Sequence, residues 1–401
     1  MMEAWRKIRL GDACVTNVDS YSPKEEWKFV NYLDTGSITD NRIDSIQFID
    51  VENDKLPSRA RRKVKKNSIV YSTVRPNQRH FGIIKTQPEN FLVSTGFAVI
   101  DVDAGMLDAD FLYYLLTQPT LVEALHAIAE QSTSAYPSIK PSDIEELEIE
   151  IPELATQKKI ADILGSLDRK ITQNAEVNDN LSAQIETFLL AYLDSEGALP
   201  VKLGDYLYIK GRIGWKGLKK SEYLSQSEYR IINGETLTQS GIDWNKAGYI
   251  SEERYIESPE IMLKVGDILL SKDGTIGKIG YVDSLELPTS VASGIFVIRN
   301  TKPDIISTTF IYYLLKSRLF TSFIAARTEG SVIPHLYQKD FMEFEFPLPT
   351  AEKMAEFEEV TEPMFLQIVN NLNENKRLAI LRDSLLPKLM SGELDVSGLD
   401  L

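Results

Sequence analysis

From Ile160 to Tyr192 the apolar positions recur at alternating steps of four and three: Ile160, Leu164, Leu167, Ile171, Asn174, Asn178, Leu181, Ile185, Phe188 and Tyr192. A sustained period of about 3.5 residues is the seam of a coiled coil, narrower than the apolar face of a globular helix. A second series lies 197 residues further on: Phe357, Thr361, Met364, Ile368, Asn371, Asn375, Leu378, Arg382, Leu385 and Leu389. It carries an asparagine pair at the same offset. One such run alone reads as a long core helix. Two in register predict two long helices paired as an antiparallel coiled coil with pseudo-twofold symmetry. Buried seam asparagines weaken such a pair but disfavour other registers, because an amide facing leucine loses its hydrogen bonds. Antiparallel pairing sets Asn178 against Asn371 and Asn174 against Asn375. Gly165-Ser166 in the first run and Pro363 in the second predict a kink or a helix start there.

The segments before each helix repeat as well. Leu10-Gly11-Asp12 returns as Leu203-Gly204-Asp205, and Asn67 to Ser72 (NSIVYS) as Gly266 to Ser271 (GDILLS), a short buried strand entered through a turn. Val93 to Ile100 parallels Val291 to Ile298, and the helical face Phe111 to Leu116 parallels Phe310 to Leu315. Ile149 to Pro152 parallels Phe346 to Pro349, where proline ends a strand just before the long helix. Short β-branched runs mixed with one or two helices predict an α+β class with mixed sheets. The expected boundaries are 1–152 and 198–349 for the two repeats, 153–197 and 350–390 for the helices, and 391–401 for a tail. Residues 13–63 and 206–264 share little, which suggests one frame carrying two different recognition surfaces.

Composition narrows the class. No apolar run approaches the roughly 18 residues of a membrane span. The start MMEAWRKIRL has no signal-peptide core and Cys14 is the only cysteine, so a reducing cytoplasm is the expected location. His80, His126 and His335 are scattered without cysteine partners, so no metal site is expected. Asp273 to Gly280 (DGTIGKIG) looks phosphate-binding, but Gly274 stands too close to Gly277-Lys278 for a P-loop, and Ile279 follows. It reads as a tight hairpin. There is no Asn-Pro-Pro-aromatic tetrapeptide, no Gly-x-Ser-x-Gly elbow and no Cys/His pairing. Asp19, Glu26 and Lys28 are the only hint of a metal-dependent nuclease. The chain looks catalytically empty.

The net charge of −15 argues superficially against nucleic acid, yet Lys55 to Lys85 holds ten basic residues and no acid. Arg59, Arg61, Arg62, Lys63, Lys65 and Lys66 offer point charges for phosphates. Arg75, Asn77, Gln78 and Arg79 follow a strand and a turn, and suit guanine or adenine edges. The second repeat is sparser. Lys210, Arg212, Lys216, Lys219 and Lys220 surround Trp215, and the equivalent hairpin bears Lys272, Thr275 and Lys278. The candidate DNA-binding set is therefore Arg59, Arg61, Arg62, Lys63, Lys65, Lys66, Arg75, Asn77, Gln78, Arg79, Lys216, Lys219, Lys272, Thr275 and Lys278. A protein–protein scaffold with an incidental basic loop is the competing reading.

IPELATQKKIADILGSLDRKI and PLPTAEKMAEFEEVTEPMFLQI, the paired LGD openings, GDILLSKDGTIGKIG and LLPKLMSGEL together resemble the DNA-specificity subunit of Type I restriction–modification systems. The likeness covers nearly the whole chain. The second helix start departs from the pattern, with Glu352-Lys353 in place of Thr156-Gln157-Lys158. The resemblance implies a non-catalytic subunit with two target-recognition domains. Each would read half of a bipartite site in double-stranded DNA, with the paired helices between them. It also implies two methyltransferase (modification) subunits and a motor and nuclease (restriction) subunit as partners. S-adenosylmethionine, ATP and magnesium would belong to those partners and none to this chain.

Overall fold

A computed structural model describes residues 5–132, 136–212, 217–238, 241–328 and 335–399. The chain forms two compact units, Met1–Thr172 with Asn375–Leu401, and Gln173–Glu374. Both are α+β. Among the described residues no helix is long and apolar enough to cross a membrane.

In the first unit the runs of apolar residues become strands buried on both faces. Ile69–Ser72 is buried along its whole length. It lies in an antiparallel sheet ordered Cys14–Thr16, Phe97–Val102, Ile69–Ser72, Phe81–Ile83. A second, mixed sheet is ordered Gln47–Asp50, Phe29–Leu33, Phe91–Ser94, Ala60–Lys63, with the central pair parallel. Helix Ala109–Leu116, N-capped by Asp108, packs its aromatic and leucine face into the core. Arg6–Arg9 pairs antiparallel with Glu148–Ile151 and closes the unit.

The second unit reuses this frame. Its antiparallel sheet is ordered Leu207–Gly211, Ile295–Asn300, Ile268–Ser271, Ile279–Tyr281, and its mixed sheet Gly248–Tyr249, Arg230–Ile232, Thr289–Val291. Leu199–Lys202 closes it against Glu345–Leu348. The DGTIGKIG segment is the turn of the Ile268–Ser271/Ile279–Tyr281 hairpin, as its spacing predicts. The LGD glycines are explained by close packing. A Cβ on Gly11 would stand 3.1 Å from the Glu145 carbonyl oxygen, and one on Gly204 2.7 Å from that of Met342. At one place the two frames exchange polarity. Ser68 Oγ donates to Asp101 at 2.6 Å in the first unit, whereas Asp267 accepts from Arg299 Nε at 2.6 Å in the second.

Both long helices are 40 residues, Leu154–Leu193 and Ala351–Met390. Each runs unbroken through Gly165-Ser166 or Pro363, so neither position starts a helix. Every predicted seam position is buried or half-buried. Within the first unit Arg382 Nη1 meets Asp168 at 2.7 Å, and Asn375 Nδ2 donates to the Ile171 carbonyl at 3.3 Å. Within the second, Asn371 Nδ2 donates to Asn178 Oδ1 at 2.8 Å and Asn174 Nδ2 to Glu374 at 2.7 Å. Tyr192 packs edge-on against Phe357 there. Numbers rise on one helix as they fall on the other, so the packing is antiparallel in each unit. Asn178 faces Asn371 as expected. Gln157 explains the Gln-Lys helix start. It is fully buried, accepts from the Asp108 N–H at 2.9 Å, and donates to the Met106 and Pro152 carbonyls at 3.2 and 3.0 Å. The second helix places buried Met354 at the equivalent position.

Candidate nucleic-acid interface

The basic run of the first unit is less uniform in space than in sequence. Ala60–Lys63 is an outer strand of the mixed sheet, with Arg59 and Arg61 exposed. Arg62 is half-buried, its Nε without a hydrogen-bond partner among the described residues. Lys63 is engaged. Its Nζ lies 2.6 Å from Glu25 and 3.9 Å from Asp19, 5.4 Å over the Trp27 ring. The hydrogen bond from Lys63, with the Ser22 N–H, holds the Glu25 carboxyl below its ordinary range. Lys65 reaches Asp101 at 3.5 Å, Arg79 Nε meets Asp40 at 2.7 Å, and Lys85 meets Asp110 at 2.6 Å. Acids distant in sequence thus neutralise part of the run. Lys55, Arg59, Arg61, Arg62, Lys66 and Arg75 have no carboxylate partner among the described residues.

The run also divides. The Arg59 carbonyl accepts from the Thr95 N–H at 2.9 Å, and the Gly96 carbonyl accepts from the Thr73 N–H at 2.9 Å. This turn brings Arg59 beside the hairpin that carries Arg75 to His80. Lys65 and Lys66 lie at the other end of strand Ile69–Ser72, about 13 Å away at roughly 3.3 Å per residue.

The hairpin itself is pinned on several sides. The Arg75 N–H donates to the Pro137 carbonyl at 2.9 Å, and the Arg79 carbonyl accepts from the Asp40 N–H at 3.0 Å. His80 Nδ1 lies 2.7 Å from the Ile38 carbonyl oxygen. Arg75, Asn77 and Gln78 are exposed and Arg79 is half-buried. Arg75 stands 5.4 Å over the ring of Tyr136. Tyr136 was not among the candidates that charge and spacing pick out, although Tyr136-Pro137-Ser138-Ile139 and Ile333-Pro334-His335-Leu336 repeat at the same offset of 197 as the helices.

In the second unit Thr275 and Lys219 are exposed, while Lys216 and Trp215 lie outside the described residues. Lys278 Nζ donates to the Gly234 carbonyl at 3.0 Å. Lys272 is half-buried, 4.9 Å over Phe296, and burial lowers its pKa against the opposing pull of Asp273. Asp273 in turn bonds His335. Arg212 corrects the expectation of a cation beside Trp215, because it is only 2% exposed. Its guanidinium donates to the Val291 carbonyl at 3.1 Å and to Ser258 and Ser290 at 3.4 and 3.3 Å, and burial lowers its pKa. It is a core group. Among the described residues no group of three or more His, Cys, Asp or Glu side chains is placed to hold a metal ion.

A sequence profile described as the Type I restriction modification DNA specificity domain matches residues 2–183 and again 199–378. The chain is 24% identical over 466 aligned positions to the Type I restriction enzyme HindI specificity subunit of Haemophilus influenzae, covering 98% of this chain and all of that one. It is 25% identical over 338 positions to the MjaIX specificity subunit of Methanocaldococcus jannaschii, covering 79% and 76% of the two. The crystal structure of the Type I restriction–modification S subunit from M. genitalium superposes with a TM-score of 0.57 at 20% identity, covering 96% of both chains.

Proposed function

The chain belongs to the Type I restriction–modification DNA specificity family, and we propose that its first unit reads one half-site through the Arg75–Arg79 hairpin and the neighbouring Arg59–Arg61 strand. As a specificity subunit it directs methylation and restriction and is not itself the catalyst. The second half-site falls to the equivalent hairpin, with Lys272, Thr275 and Lys278, and to the Lys216–Lys219 segment. Residues 1–152 and 198–349 act as the two target-recognition domains on double-stranded DNA, with the Asn174, Asn178, Asn371 and Asn375 seam fixing the register of the helices that join them. Two methyltransferase subunits, binding S-adenosylmethionine, methylate adenine flipped out of the duplex. A motor and nuclease subunit using ATP and magnesium completes the assembly in the cytoplasm.

The observation that carries this reading is the hairpin. It places exposed Arg75, Asn77 and Gln78 on a backbone held by hydrogen bonds to the Pro137 and Gly96 carbonyls and from the Asp40 N–H, with Arg59 adjacent. Rigid presentation of amide and guanidinium groups is what base reading needs, and adjacent unpaired cations supply phosphate contacts. The test is binding of the chain, assembled with its modification subunits, to duplexes at graded salt. Neutralising Arg59 and Arg61 together is expected to weaken cognate and scrambled duplexes alike. It should also flatten the salt dependence by about 0.9 for each phosphate that is no longer neutralised. An unchanged salt slope would remove this strand from the interface.

A further inference from the structure

The second unit supplies an internal control for the first hairpin. Ser72 N–H donates to the His80 carbonyl, and Ser271 N–H to that of Lys278, both at 2.9 Å. The next residues, Thr73 and Lys272, donate to Gly96 and Gly294 at 2.9 and 2.8 Å, and their carbonyls accept from Ile139 and Leu336 at 2.9 Å each. Within this shared frame two positions have positive φ. In the second unit they are Gly274 and Gly277, at 66° and 91°; in the first they are Arg75 and Arg79, at 47° and 59°. A side chain in that region crowds its Cβ against a carbonyl oxygen, so glycine is the relaxed choice. Among the described residues eight non-glycine positions have positive φ, and five are Asn or Asp, which tolerate it. The others are Glu26, Arg75 and Arg79. Two of the three bulky exceptions therefore share one loop, where the same frame elsewhere holds glycine.

The contacts of these side chains within the protein do little to offset that strain. Arg79 makes its ion pair to Asp40 at the surface, with the two side chains 39% and 49% exposed, and such pairs add little stability. Arg75 has only the Tyr136 ring beneath it among the described residues. Its guanidinium donors make no hydrogen bond among the described residues, which leaves them available to the O6 and N7 acceptors of guanine in the major groove. Arg79, tied to Asp40 and 5.2 Å over Phe81, fixes the far end of the loop. We infer that Arg75 reads a guanine in the first half-site and that Arg79 is a positioning residue. The left-handed backbone under both is a strained mounting that the second unit, reading with other groups, replaces by glycine. This inference rests on the function proposed above.

The experiment uses the full chain in complex with its modification subunits, and a duplex library varied in both half-sites. Arg75→Ala, Arg75→Gly and Arg75→Lys are compared with the parent by competition binding and by methylation sequencing, and their thermal unfolding is recorded. All three are expected to lose discrimination at one guanine position by roughly 10- to 100-fold, with the second half-site unchanged. Lysine keeps the charge and overall affinity but lacks the two-pronged fork. Arg75→Gly is expected to melt above Arg75→Ala, since both lose the same side chain and only glycine relaxes the backbone. Retained discrimination in Arg75→Ala, or an equal loss on every duplex, would overturn the guanine contact. A glycine variant no more stable than the alanine variant would overturn the strained mounting. A parent complex with no bipartite preference would instead overturn the proposed function itself, so the failures are distinct.

Discussion

The Asn178–Asn371 pair allows a quantitative test of how the seam is specified. Asn371 Nδ2 donates to Asn178 Oδ1 at 2.8 Å, and the two residues are 5% and 7% exposed. Gln367 donates to Asn371 Oδ1 at 2.6 Å, and Asn178 Nδ2 reaches the Ile368 carbonyl at 3.4 Å. Truncating either asparagine to alanine removes a buried bond worth about 1 kcal/mol net and strands its partner, for a total of about 1–3 kcal/mol. The double alanine variant has no partner left to strand, so its loss should fall short of the sum of the singles by about 1 kcal/mol. Replacing both by leucine buries apolar surface worth roughly 1.5–3 kcal/mol per side chain. That variant should be at least as stable as the parent while losing the amide pair that disfavours other registers. The assay is urea unfolding followed by helical circular dichroism, with constant slopes required before midpoints are compared. Alanine losses that add to within about 0.3–0.5 kcal/mol would refute the coupling.

Three further outcomes are expected. Burial, with Glu145 and Asp101 adding to it, pushes the Cys14 thiol up to about 12, so the reactive thiolate is scarce at mildly alkaline pH. Cys14 should therefore resist alkylation in the native chain and react in urea; native labelling at the rate of a free thiol contradicts this. Glu25→Gln should release Lys63, raising affinity for all duplexes and steepening the salt slope by up to about 0.9. Because the Glu25 pKa is lowered, the ion pair is complete above the ordinary carboxylate pKa and disappears only as pH falls through the lowered one. At neutral pH the substitution is thus needed to free Lys63, and an unchanged or flatter slope in anisotropy titrations counts against it. Arg212→Ala should destabilise by about 3 kcal/mol or more through a cavity and a stranded Val291 carbonyl, whereas Arg212→Met, which keeps the volume, should cost about 1–3 kcal/mol. Equal losses in chemical denaturation would show that packing volume is not what Arg212 supplies.

The frame was legible because it rests on periodicity. The heptad positions, the LGD glycines, the buried strands Ile69–Ser72 and Ile268–Ser271 and the facing Asn178 and Asn371 follow from spacing and from the repeat. Charge was legible only along the chain. Lys55 to Lys85 contains no acid, but Glu25, Asp40, Asp101 and Asp110 fold back onto four of its cations. A strand then separates Lys65 and Lys66 from the hairpin. Arg212 was misplaced because burial of a guanidinium by two serines and a carbonyl leaves no local pattern. Pro363 did not start its helix, which begins at Ala351 and runs through it; the proline lies on the exposed side, where a carbonyl lacking its N–H partner can meet water. The left-handed arginines needed the backbone to be seen, although the glycines at the matching positions of the second repeat pointed to the requirement.

Each unit is expected to read its own half of one DNA target. The most direct measurement is a genome-wide map of methylated adenines in cells making this chain and its modification subunits, compared with a chimera in which residues 5–152 come from a related specificity subunit. One bipartite motif is expected for the parent, with the chimera changing one half of that motif while the other half stays as it was. Methylation that ignores the exchange, or that changes in both halves at once, would contradict it.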